Sequence, residues 1–394
     1  MRELDRFKGC LIGGAIGDAL GYAVEFQREP EIFEAYGPAG ITRYDLEHGL
    51  ARISDDTQMT LFTATGLLYG QACGTLHAPN AGAVNGIRQA YLDWFATQTQ
   101  AYPLPDSYRR TSWLADRKEF FSRRAPGGTC LSALMEGGQG TLEHPVNNSK
   151  GCGGVMRVAP IGLYLCDNKD WTPEEIDMLG AEAAAITHGH ELGYIPAAAL
   201  VHIIYAIASG KHTDLISAVS ESIHAMQVLF PDAKEMPRFT SLMQQAIELS
   251  QKNEGDLASI HALGRGWVAE ETLAIAVYCA LKYADDFEKA IITSVNHGGD
   301  SDSTGAVTGN ILGAYLGVDA IPEYYLKDLE LREIIEEVAE DLYNDCQMHE
   351  YGDYKDPIWT SKYIQVDYNM EKQKCKREKQ IKKTGRGVEW SQVL

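Results

Sequence analysis

A chain of 394 residues with 45% hydrophobic content and 14 prolines has an ordinary globular composition, long enough for one large core or two domains. A formal charge of −20 excludes general nucleic-acid binding, and eight scattered cysteines without a Cys-x-x-Cys pair exclude a disulfide framework or structural zinc. The apolar runs 11–24 and 195–208 are short or interrupted by Asp18 and His202, and the charged start Met1-Arg2-Glu3-Leu4-Asp5 lacks signal-peptide character, so the expectation is no membrane association and a cytoplasmic location.

Helical periodicity runs through most of the chain, at about 3–22, 56–70, 83–97, 154–165, 173–187, 194–209, 213–229, 237–252, 270–283, 285–295, 302–316 and 325–344. With no convincing set of alternating strands, the fold class is all-α: a single compact multi-helix domain over about 1–350, with chemistry on its loops. In the first helix Gly9, Gly13, Gly17 and Gly21 recur every four residues, a stripe free of side chains against which another helix can pack closely. That helix ends near Glu25, whose carboxylate can face a cleft.

The second helix opens on Ser54-Asp55-Asp56-Thr57, acidic oxygens beside hydroxyls at a helix start. Residues 100–128, rich in arginine and aromatics, read as a surface insertion forming a solvated helix. Next, 149–154 (Ser149, Lys150, Gly151, Cys152, Gly153, Gly154) form a glycine-rich loop leading into a helix, an arrangement that can cradle phosphate or merely make a tight turn. His188 and His190 close one helix and precede another. Gly264-Arg265-Gly266-Trp267-Val268-Ala269-Glu270-Glu271 suits either a cleft wall or helix capping with a packed tryptophan, and Asp285-Asp286 reads as an N-cap.

The second acidic cluster, Asp300-Ser301-Asp302-Ser303-Thr304, repeats the format of the first and precedes another stripe, Gly305, Gly309, Gly313 and Gly317. If the fold joins the two clusters, their carboxylates and hydroxyls make an all-oxygen set suited to hard divalent cations, and a metal pair would answer their mutual repulsion. Residues 351–394 form a C-terminal extension. From Asp367 onward it carries eight Lys/Arg against four Asp/Glu, leaving the first 366 residues near −24; it can dock on the acidic body or bind a partner, with disorder as the default.

In this order and spacing, Gly17-Asp18-Ala19-Leu20-Gly21 with Glu25, Ser54-Asp55-Asp56-Thr57 and Gly298-Gly299-Asp300-Ser301-Asp302-Ser303-Thr304 closely resemble the ADP-ribosylglycohydrolase family, over about residues 3–345. The family includes dinitrogenase-reductase-activating glycohydrolase and ADP-ribosylarginine hydrolases. The resemblance implies an all-α fold with two Mg²⁺ or Mn²⁺ ions in a cleft for ADP-ribose. It makes Ser54, Asp55, Asp56, Asp300, Asp302 and Ser303 the metal ligands, with Asp302 as bridge. Residues 149–154 match the segment around the diphosphate, where Lys150 would add charge, and His188 matches a histidine of the ligand wall; His190 has no such match. Many members carry threonine at positions 54 and 303, and the serine forms look like the arginine-specific branch.

Cleavage at the anomeric carbon builds positive charge on the ribose, which a nearby carboxylate steadies. Glu25 is the expected catalytic carboxylate and Asp56 the second. The expected partner is an ADP-ribosylated protein or ADP-ribose, with 100–128 or the basic tail open to a protein partner. The leading function is therefore metal-dependent removal of ADP-ribose from a modified side chain, arginine first. The alternatives are a noncatalytic ADP-ribose-binding or toxin-immunity protein, and a hydrolase of small ADP-ribose conjugates.

Overall fold

The computed structural model describes residues 2–73, 79–345 and 354–369. Among these, extended pairing is confined to three isolated bridges and the rest of the regular structure is helical. The helices are α1 (Leu4–Tyr22), α2 (Glu29–Tyr36), α3 (Asp55–Cys73), α4 (Pro79–Thr99), α5 (Gly128–Met135) and α6 (Ala159–Tyr164). They continue as α7 (Pro173–Ala185), α8 (Glu191–Ala208), α9 (Leu215–Leu229), α10 (Met236–Ser250), α11 (Asp256–Leu263) and α12 (Ala269–Lys282). The last are α13 (Phe287–Val295), α14 (Ser301–Leu316), α15 (Glu323–Lys327), α16 (Arg332–Asn344) and α17 (Pro357–Tyr363).

Helices α1 and α14 cross as an antiparallel pair at backbone contact. Gly9, Gly13, Gly17 and Gly21 face Gly313, Gly309, Gly305 and Ser301 in turn. A Cβ on Gly13 would lie 2.5 Å from the Gly309 carbonyl oxygen, and the other positions are tighter still. Each glycine costs a helix about 1 kcal/mol relative to alanine, so the stripe is tolerated for this approach. Its result is positional: the C-terminal end of α1, with Glu25 just beyond it, lies beside the N-terminal end of α14, where the second acidic cluster sits.

Several boundaries differ from the expected ones. The helix expected at 154–165 begins only at Ala159, because Pro160 fits a first turn but no interior position. The stretch 325–344 breaks at Leu331, which adopts φ 60°. Helix α8 starts at Glu191 because the His190 side chain accepts the Leu192 N–H and caps it, which makes it longer than the apolar run. With a mean hydropathy of 1.5 it has the length and composition of a membrane span, yet 83% of it is buried inside the protein.

The segment 100–128 is no solvated helix. It forms two short 3₁₀ turns, Trp113–Asp116 and Lys118–Phe120, and buries Leu104, Trp113, Leu114 and Phe120. Its aromatics made the difference: Phe120 packs edge-on against Phe62 of α3 at 5.4 Å. Buried Asp93 of α4 accepts the N–H groups of Thr111 (2.7 Å) and Ser112 (2.8 Å), and Ser112 Oγ meets Thr65 Oγ1 of α3 at 2.7 Å. The segment therefore lies along α3 as a strap. Of the C-terminal extension, α17 docks on the body; the basic tail from 370 onward lies outside the described residues.

Candidate metal centre and ligand cleft

Asp18 ties the two halves of the site together. It is fully buried in α1, and its carboxylate accepts the N–H of Ser54 (2.9 Å), the N–H of Thr57 (3.1 Å) and the Thr57 hydroxyl. These bonds fasten the start of α3 to α1, while Ser54 Oγ caps the same helix by accepting the Asp56 N–H at 3.1 Å. Asp55 is held from the other side: its N–H donates to the Arg124 carbonyl at 3.0 Å, and its Oδ2 accepts the Gly127 N–H at 3.4 Å.

Opposite, Asp300 donates its N–H to the Arg265 carbonyl at 2.8 Å, and Asp302 Oδ1 accepts the Ser303 N–H at 2.9 Å. One oxygen each from Glu25, Asp300 and Asp302 lie within 4.8 Å of one another, all three residues being buried. The charge of Asp302 bears on Asp18, Glu25, Asp55, Asp56 and Asp300 alike. Burial first, and Asp302 second, push the Glu25 carboxyl up to about 10 and hold Asp55, Asp56 and Asp300 well above the usual carboxylate range.

So many carboxylates gathered under desolvation call for cations. Glu25 Oε2, Asp56 Oδ2 and Asp300 Oδ2 are buried with no hydrogen-bond partner, which is how oxygens awaiting a metal stand. The donors present are hard oxygens and fit divalent cations of that preference. Of the expected set, Asp300 and Asp302 meet at Glu25, Asp55 and Asp56 lie near enough to feel the charge of Asp302, Ser54 serves as a cap, and Ser303 lies close enough to Asp300 to lower that group's proton affinity. Glu25 joins the cluster itself.

The glycine loop borders this cluster: the Cys152 thiol lies against Asp300, with burial the main reason its proton affinity rises far above normal. The loop pairs with the segment before α12, Lys150 O accepting the Ala269 N–H at 2.9 Å and Gly151 bridging Val268. Lys150 departs from expectation. Its ammonium is bonded to Glu270, whose side chain has no exposure and which also meets Arg238 Nη2 at 3.1 Å. A carboxylate so buried needs cations beside it, and Lys150 answers that need. His188 is 1% exposed and packs behind the loop, its Nε2 3.4 Å from where a Cβ on Gly151 would be; burial lowers its proton affinity to about 3. Thr187 Oγ1 holds His188 Nδ1 at 2.8 Å and accepts Arg157 Nη2 at 2.7 Å. His190 is a cap only.

Two features escaped sequence reading. Buried Arg157 stacks on Tyr91 at 4.3 Å and braces Thr187, with no local pattern to mark it. Phe26, 73% exposed, stacks at 6.4 Å on Trp267, 42% exposed, so the residue after Glu25 meets the residue after Gly266. Because a Cβ on Gly266 would lie 3.3 Å from Asp300 Cβ, this aromatic pair stands beside the acidic cluster. The segment 264–271 thus serves both readings, since Glu271 also accepts the Arg265 N–H at 2.9 Å.

Comparison with known proteins agrees with this architecture. The ADP-ribosyl-[dinitrogen reductase] glycohydrolase of Rhodospirillum rubrum is 25% identical over 83% of this chain and 91% of its own length. The ADP-ribosylhydrolase ARH3 of Mus musculus is 25% identical over 87% of this chain and 92% of its own. A solved structure titled "ADP-ribosylglycohydrolase-related protein complex" superposes with a TM-score of 0.57 and 25% identity, covering 86% of this chain and 98% of that one. The profile of the ADP-ribosylglycohydrolase family matches residues 1–352, and the chain belongs to that family, as a glycohydrolase of ADP-ribosyl groups.

Proposed function

We propose that this glycohydrolase removes ADP-ribose from modified protein side chains, ADP-ribosylarginine foremost, with two Mg²⁺ or Mn²⁺ ions in its cleft. The observation that carries the reading is the convergence of Glu25, Asp300 and Asp302 within 4.8 Å, with Asp55 and Asp56 presented by α3. Asp55, Asp56, Asp300 and Asp302, with the Ser54 and Ser303 hydroxyls at hand, would hold the pair, Asp302 being the ligand whose charge bears on every other carboxylate of the group. Bound there, the cations would orient the hydroxyls of the distal ribose and make water more acidic.

Glu25 is the carboxylate that would take a proton from water attacking the anomeric carbon: cations bound beside it would offset the burial and neighbouring carboxylates that keep its proton on, and its ionised form would steady the positive charge growing on the ribose. Its buried, unpaired Oε2 leaves one oxygen available for this role. The loop 149–154 offers backbone N–H groups to the diphosphate, while Lys150 keeps the wall beside it intact through Glu270.

Arginine as the modified residue is supported by the cation it presents: a guanidinium is drawn to a chain of charge −20. The serine hydroxyls at 54 and 303 favour the same branch. A protein target is supported by the name of the Rhodospirillum rubrum relative, which describes a modified enzyme as its substrate. A reducing, cytoplasmic setting accords with the six free cysteines among the described residues.

The test is release of free ADP-ribose from proteins modified on arginine or on serine, with Mn²⁺ present. Faster release from the arginine-modified protein supports the proposal. Preference for serine overturns its arginine part, and release only from small conjugates overturns the protein substrate.

A further inference from the structure

We infer that Lys362, in the helix beyond the family-matched region, is a positioning residue for the metal ligand Asp55, acting through Trp113 and the strap along α3. The family profile ends at residue 352, and α17 lies past it. What α17 does in this chain must therefore be read from its own contacts.

Lys362 is 3% exposed. Its ammonium lies 2.6 Å from Asp341 Oδ2 and 2.8 Å from Glu337 Oε1, both on α16. The same ammonium stands over two rings, Tyr368 at 4.8 Å and Trp113 at 5.7 Å, and those rings meet edge to face at 5.2 Å. Tyr363 adds a bond from its hydroxyl to Asp341 Oδ2 at 2.6 Å, and its carbonyl oxygen faces Cys73 Sγ at 3.4 Å, at the end of α3. A buried cation offset by two carboxylates and two aromatic faces fixes Trp113 from outside.

From Trp113 the strap follows α3 back toward its first turn. Ser112 touches Thr65, Phe120 touches Phe62, and the Ser122 carbonyl accepts Gln58 Nε2 at 3.2 Å. The strap ends on the metal ligand, with the Arg124 carbonyl on the Asp55 N–H and the Gly127 N–H on its carboxylate. Asp55 is thus supported by a segment clamped at its far end by the extension. Groups that orient a metal ligand set its affinity although they never touch the ion.

The inference rests on the reading of Asp55 as a ligand, and the experiment separates the two. Mn²⁺ is titrated calorimetrically into the full chain and into Lys362→Met, Lys362→Arg, Trp113→Phe and the double variant Lys362→Met/Trp113→Phe, with folding checked by circular dichroism. The expected result is a roughly three- to thirtyfold weaker Kd for Lys362→Met and for Trp113→Phe, recovery in Lys362→Arg, and a double variant no worse than the weaker single one. A merely structural role would lower Tm and leave Kd alone, which overturns the inference, as does an additive double variant. If Lys362→Met does not fold, Trp113→Phe decides alone, an unchanged Kd overturning it. A native chain that takes up no Mn²⁺ overturns the metal assignment and this inference with it.

Discussion

The carboxylate of Asp18 accepts the backbone N–H of Ser54 at 2.9 Å, so a residue of the first helix sets the position of the helix that presents Asp55 and Asp56. The same carboxylate takes both the N–H and the hydroxyl of Thr57. Asp18 thus braces the start of α3 against α1.

Asp18→Ala strands two buried N–H groups and a hydroxyl at the base of the metal centre. Divalent-cation affinity should fall by roughly 10- to 100-fold, as for other groups that orient metal ligands. Calorimetric titration with Mn²⁺ reads the change, and unaltered affinity would show that α3 is placed by other contacts.

Glu25→Gln keeps the size and removes the ionisable group of the carboxylate that meets Asp300 and Asp302. Turnover should drop by about 10²- to 10⁴-fold while ADP-ribose still binds. Near-native turnover would move the catalytic role to Asp56.

In the glycine seam, Gly13→Ala puts a methyl group 2.5 Å from the Gly309 carbonyl oxygen. Stability should fall by about 1–3 kcal/mol or more. Gly128→Ala is the control: a Cβ there meets nothing within 4 Å, and stability should hold or rise slightly. Equal effects in urea unfolding would mean that α1 and α14 can part without cost.

Burial pushes the Asp93 carboxyl up to about 6 despite the N–H groups of Ser112 and Thr111 that it accepts. Its folded value exceeds the ordinary 3.8, so the fold favours the protonated form: the associated stability is complete below pH 3.8 and is lost as pH rises through 6. Asp93→Asn keeps an acceptor oxygen and cannot ionise. Relative to the native chain, this variant should gain about 2–3 kcal/mol between pH 4 and pH 7. A stability difference independent of pH, measured by chemical denaturation, would sink the assignment.

The all-α class was legible because periodicity and glycine spacing are local properties, and both acidic clusters were legible because each is contiguous. That they meet depends on the seam between α1 and α14, since two glycine stripes read locally do not say which helix each one packs against. Short helices such as α2, α5 and α11 were missed because eight residues carry little periodicity. The strap was misread because its arginines advertise a surface, whereas Trp113 and Phe120 are buried. The pairing of Lys150 with Glu270 was not legible because nothing local reveals that Glu270, 120 residues away, has no exposure.

On the proposed reading, hydrolysis depends on cations held by the joined acidic clusters. The direct measurement counts Mn²⁺ per chain by dialysis and elemental analysis, alongside release of ADP-ribose from an arginine-modified protein, for the native chain and Asp55→Ala/Asp56→Ala. About two ions per native chain are expected, as a paired-metal site requires, with release abolished by chelator and by the double substitution. Undiminished release in excess chelator, or from a double variant that binds no metal, would contradict it.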